Sequence, residues 1–253
     1  MGNISTFLEL DNFVLSAKDY FRQHGKQKQA ELGEVFDLYF NSLSSIGKSK
    51  QPKDWPDTRE EDVIKVLTKA VQSLFGMYYL SESGFFDLAL SLKRNYTELL
   101  LVAIAIGYDK QSYIDWKNNR DNFRDVHEVA KRLLTSDTIP SVEKQLIPIA
   151  LKYWNESSQL HSHQISKKAV EEGLNMVNGD INLGSRIIKE EFQIRRINTL
   201  RNMCLNTITI LLGVFDYVAL TQGGNATKYP EAKALMSKYN AFQQEDLKLE
   251  LTI

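Results

Sequence analysis

FFDLALSLKRNYTELLLVAIAIG, residues 85–107, is apolar on every side through its second half and carries Asp87, Arg94 and Glu98 in its first. A helix that is hydrophobic all round has to be surrounded by other helices, which makes this segment the centre of a bundle. At 100° per residue the three charged positions fall within roughly 40° of one another, a single polar stripe that runs into the most apolar part of the chain. Arg94 precedes Glu98, whereas an exposed i,i+4 pair is favoured with the acid first. The stripe is therefore expected to face inward, where an isolated charge is too costly to leave unmatched and further partners are needed. It then serves either as a structural ion-pair network that fixes helix register or as a binding or catalytic site.

The surroundings are those of an ordinary globular protein. The 253 residues are 43% hydrophobic and 25% charged, enough for a sizeable core in one large domain with at most a small appendage. Lys+Arg 31 against Asp+Glu 32 leaves a net charge of -1, so no global field draws the chain to nucleic acid or to an anionic membrane. Cys204 is the single cysteine, which excludes an internal disulfide and a cysteine zinc site, fits a reducing compartment, and reads as an inert core thiol. The first ten residues lack the pattern of a signal peptide, and no apolar run approaches the roughly 20 residues that span a bilayer. A cytoplasmic protein with no membrane partner is expected.

Outward from the central segment, apolar residues recur at three- and four-residue steps almost everywhere, and the fold class is all-α, a mostly antiparallel multi-helix bundle with little or no β. Residues 1–47 read as an N-terminal helical hairpin packed on the bundle. Its first helix is closed by His24-Gly25, and the inward residues of the second are Leu32, Val35, Phe36, Tyr39, Phe40 and Leu43. A loop over Gly47 to Asp57 leads to a capping box at Thr58 to Glu61 and to the main bundle, residues 58–243. Val63 to Tyr79 mark a long helix, and a short turn returns the chain antiparallel into the central one. Two shorter helices hold Tyr113 and Trp116, then Arg120 and His127. A further helix runs from Ser141 past Pro148 to Ile165, and Arg186 to Gln222 forms another. Asn178-Gly179-Asp180 has the composition of a small hairpin turn. A last helix is expected over Tyr229 to Gln243, followed by residues 244–253 as a C-terminal arm. The charged run Lys189 to Arg201 reads as a solvated face.

Chemistry has few places to sit. On the Ser141 to Ile165 helix, His161 falls among apolar positions with Ser157 at their border, while His163 points about 200° away, so the two cannot share a metal. An inward imidazole needs partners, for which Arg94, Glu98 and Tyr153 are candidates. No glycine-rich phosphate loop follows a strand and no Glu-x-x-His spacing occurs, so neither metal nor cofactor is expected.

An Arg-x-x-x-Glu helix (Arg94, Glu98), a Tyr-x-x-Trp segment (Tyr113, Trp116) and Tyr-x-x-x-Ser-x-x-x-His (Tyr153, Ser157, His161) together resemble a family of bacterial all-helical proteins of unassigned function, over roughly residues 60 to 220. That family is distantly similar to the HEPN helical bundles, many of which are metal-independent ribonucleases of toxin–antitoxin and phage-defence systems. The resemblance implies a binding or regulatory protein in stress or phage defence, working as a homodimer, with a small ligand of unspecified kind. Read from the residues themselves, Arg94, Glu98 and His161 are the candidate catalytic set, and Tyr153, Ser157, Asp87 and Trp116 are candidate binding residues. The alternative the resemblance implies is a HEPN-like ribonuclease or abortive-infection toxin with RNA as partner. The HEPN signature is an arginine followed four to six residues later by a histidine; here Arg120 and His127 stand seven apart in RDNFRDVH. In that chemistry histidine serves as general acid and base on the ribose 2′-hydroxyl and arginine holds the phosphate.

Overall fold

The computed structural model describes residues 4–49, 59–83, 86–118, 125–161, 174–177, 180–183 and 190–221. In order these form α1 (Ile4–Ser49), α2 (Arg59–Glu82), α3 (Phe86–Tyr108), α4 (Lys110–Lys117), α5 (Val126–Thr135), α6 (Ser141–His161), β1 (Leu174–Val177), β2 (Asp180–Leu183) and α7 (Glu190–Thr221). The fold is an all-α multi-helix bundle. Its one sheet among the described residues is the small hairpin, antiparallel with Leu174 opposite Leu183 and Val177 opposite Asp180. The helix and arm expected after Gln222, the loop and cap over residues 50–58, and Arg120 lie outside the described residues.

The second half of α3 is the core. Leu100, Leu101, Ala103, Ile104, Ala105 and Ile106 are buried, and α3 packs against α2, α4, α5, α6 and α7. Burial of Tyr96 would strand its hydroxyl, and α7 meets that need: the hydroxyl donates to the Met203 carbonyl at 2.5 Å and lies 3.2 Å from the Thr207 hydroxyl. Burial also pushes the Tyr96 hydroxyl well above its ordinary pKa, so it remains a donor. At the far end of α3, Tyr108 donates to Glu143 of α6 at 2.6 Å. Helix backbones approach closely there. A Cβ on Gly107 would overlap Val214, and one on Gly213 would overlap the Tyr108 hydroxyl and the Glu143 carboxylate.

The N-terminal segment departs from expectation: α1 is one continuous helix of 46 residues instead of a two-helix hairpin. It contains no proline, and a single mid-helix glycine such as Gly25 costs only about 1 kcal/mol relative to alanine, which the good helix formers around it outweigh. From Leu32 onward α1 packs on α7 and α2, burying Val35, Phe36 and Tyr39, whereas Phe40 is 47% exposed and stacks on Phe75 from the outside. Tyr79 of α2, also expected inside, is 62% exposed. Pro148 lies inside α6 at an exposed position, where its missing N–H removes one backbone hydrogen bond.

Two ion pairs, each with one partner nearly sealed, bolt helices together. Arg201 of α7, expected on a solvated face, is 3% exposed and reaches Glu31 of α1 at 2.8 Å. Asp62 lies in the first turn of α2, near the positive end of the helix dipole. It accepts from Lys117 at 2.6 Å and from the Tyr113 hydroxyl at 3.0 Å, tying α4 down. Burial alone would raise the Asp62 pKa, but these two hydrogen bonds and the Lys117 and Lys65 charges outweigh it and hold the carboxyl below its usual range.

Two outcomes test these contacts. Gly33, with nothing within 4 Å of a built Cβ, and Gly213 are both glycines within helices. Gly33→Ala should raise stability by about 0.5–1 kcal/mol, and Gly213→Ala should lower it by about 1–3 kcal/mol, read by urea unfolding. Because the folded pKa of Asp62 is depressed, its contribution is present above the unfolded value and is lost as pH falls through the folded one. The stability gap between wild type and Asp62→Asn should therefore be open at pH 7 and close on acidification below about pH 4.

Candidate functional site

The polar stripe of α3 runs on the outside of the bundle. Ser91, Arg94 and Asn95 are exposed and Glu98 is half-buried, while Lys93, Tyr96 and Thr97, on the opposite side of the same turns, are buried. The expected inward network is thus a surface one: the Arg94 and Glu98 side chains are 49% and 40% exposed. The reason is the density of apolar residues on the remaining faces, whose burial outweighs the few tenths of a kcal/mol that favour one charge order over the other.

The stripe is nevertheless more than an isolated pair. Arg94 Nε donates to Glu98 Oε1 at 3.0 Å, and the same oxygen accepts the indole N–H of Trp154 at 3.2 Å. The Arg94 guanidinium carbon lies 4.9 Å from the centroid of the Trp154 ring, a cation–π contact. His127 approaches that ring edge-on, with centroids 5.0 Å apart and planes at 83°. Three helices contribute: α3 gives Arg94 and Glu98, α5 gives His127, and α6 gives Trp154. His127 stands in the first turn of α5, whose backbone is fixed by Asp125, the carboxylate of which accepts from the His127 and Glu128 N–H groups. Glu98 also borders a depression of about 20 Å³, room for about one water, lined by Leu101, Val102, Val126 and Val129.

The other expected residues distribute as follows. His161 is the last residue of α6, and its side chain, like that of Asp87, lies outside the described residues. Tyr153 is half-buried beneath the Lys93 ammonium, 4.6 Å from its ring. Ser157 is fully buried and donates to the Trp154 carbonyl at 2.8 Å, a local bond within α6. Trp116 stacks on Tyr113, which is committed to Asp62; this places Trp116 with the α2–α4 contact and not with Arg94. Cys204 is buried, and burial raises its thiol pKa, which keeps it protonated and unreactive. No group of three or more potential metal ligands occurs among the described residues, and none of the described helices is long and apolar enough to cross a membrane.

Trp154 is the residue that the sequence did not single out. It sits two turns before His161 on the same helix, and its meeting with Glu98 is set by the register of α6 against α3. A partner from α6 was legible; its identity was not.

The exposure of the pair sets its energetic weight. A double-mutant cycle on Arg94 and Glu98, scored by unfolding free energy, should give a coupling below about 1 kcal/mol. A coupling near the about 3–5 kcal/mol typical of broken buried pairs would mean that the cluster is a structural lock.

No protein-family model matches the chain, and no characterised protein or solved structure is significantly similar to it.

Proposed function

We propose that the chain is a helical binding or regulatory protein whose ligand site is the face shared by α3, α5 and α6. One observation carries this: Arg94, Glu98, Trp154 and His127 are bonded or stacked on one another yet remain open to solvent. A half-exposed ion pair adds little stability, so three chemically capable side chains converging on one tryptophan are better matched to recognition than to holding the fold. A reducing, cytoplasmic setting for stress or phage defence accords with the lone buried Cys204.

A second function, metal-independent RNA cleavage, draws on the same geometry. His127 and Arg94 both contact Trp154, which puts a candidate acid/base and a candidate phosphate holder on one surface. This replaces the Arg120/His127 spacing with an interhelical Arg94/His127 pair. In that case two protomers would face one another as a homodimer, with RNA as the partner.

Both are decided with the same variants. In a thermal-shift screen of metabolites, nucleotides and short RNAs, binders should raise the melting temperature of wild type and lose that effect in Arg94→Ala and Trp154→Ala; hits that stabilise all three alike would exclude this face. RNA incubated with the protein in chelator should be cut only if His127 and Arg94 are present. Undiminished cutting by His127→Ala and Arg94→Ala would remove the nuclease chemistry from this site.

A further inference from the structure

Arginine offers a ligand two flat edges, one formed by Nε with a terminal nitrogen and one formed by the two terminal Nη groups. In Arg94 the first edge is spent on Glu98 through Nε at 3.0 Å. The ring of Trp154 lies against the guanidinium, with its centroid 4.9 Å from the guanidinium carbon. Among the described residues no protein group bonds the Nη pair, and the side chain is 49% exposed. An unrestrained arginine would forfeit about 2 kcal/mol of rotamer entropy on binding. Here Glu98 and Trp154 have already fixed the plane, so little of that loss remains to be met when a ligand arrives.

Glu98 is itself fixed. Its Oε1 accepts from both Arg94 and Trp154, so one carboxylate oxygen aligns the cation and the aromatic ring together. Beside it, the depression between α3 and α5 has apolar walls from Leu101, Val102, Val126 and Val129.

From this we infer that the site recognises an oxyanion with two oxygens in one plane, a phosphate monoester or a carboxylate, which docks end-on against the Arg94 Nη pair. The inference rests on the ligand-site function proposed above and specifies its chemistry. Glu98 is a positioning residue: it aims Arg94 and does not touch the anion.

The test follows the indole N–H signal of Trp154 in a ¹⁵N-labelled full chain, assigned by its loss in Trp154→Phe, during titration with phenyl phosphate, benzoate and benzylamine. Both anions should shift the signal saturably and benzylamine should not; the tighter of the two identifies phosphate or carboxylate as the preferred group. Arg94→Lys keeps the charge but lacks the fork, and should weaken anion binding about tenfold. Glu98→Gln, which still accepts from Nε and the indole, should bind at least as well as wild type, whereas Glu98→Ala should bind more weakly. Saturable binding of benzylamine alone would overturn the oxyanion assignment while leaving a ligand site in place. An Arg94→Lys variant that binds anions like wild type would overturn it too, as would the absence of any shift; in that last case the ligand screen still decides whether the face binds anything.

Discussion

The structure depends on covering α3 from all directions. Its second half has no polar side to leave in water, so every other described helix except α1 packs against it. The closeness of that cover is set by backbone: Gly107 on α3 meets Val214, and Gly213 on α7 leaves room for the Tyr108 to Glu143 hydrogen bond. Inside this cover the Tyr96 hydroxyl is met by Met203 and Thr207.

Two kinds of ion pair divide the labour. Arg201 with Glu31, and Asp62 with Lys117, each have one partner nearly sealed, and each joins helices far apart in sequence. Removing the sealed partner's mate would leave a buried charge, which is why such pairs fix the arrangement of helices. Arg94 with Glu98 lies within one helix and stays in contact with water. Its interhelical content comes from Trp154 and, through that ring, His127, so its weight falls on the shape of a surface.

Much of the bundle was legible because period and punctuation are local. The apolar spacing of Val63 to Tyr79 and of Phe85 to Gly107 gave α2 and α3, and the Asn178-Gly179 step marked the hairpin whose strands pair around it. What failed were inferences from weak local terms to global placement. The charge order of Arg94 and Glu98 favours an inward stripe, yet that preference is small against the burial of Tyr96, Leu100 and Ile104 on the other faces. His24-Gly25 has the look of a helix end, but one glycine seldom overrides helix-forming neighbours on both sides, and α1 runs through it. Arg201 looked solvated because its sequence neighbours are charged; its position opposite Glu31 is a property of the packing of α1 on α7. The cluster centred on Trp154 is hidden for the same reason, since the register between α3 and α6 is not written in either helix alone.

The length of α1 gives the molecule an uneven energy profile. Among its described side chains none before Leu32 is buried, and the exposed Arg22 reaches only the Glu82 carboxylate, whereas Leu32, Val35, Leu38 and Tyr39 enter the core. One unbroken rod of backbone hydrogen bonds therefore spans two regimes. Amide protons in its first half need only local opening to exchange with solvent, while those beyond Leu32 are released on the timescale of global unfolding. A single helix in geometry is, in thermodynamic terms, two cooperative units joined end to end.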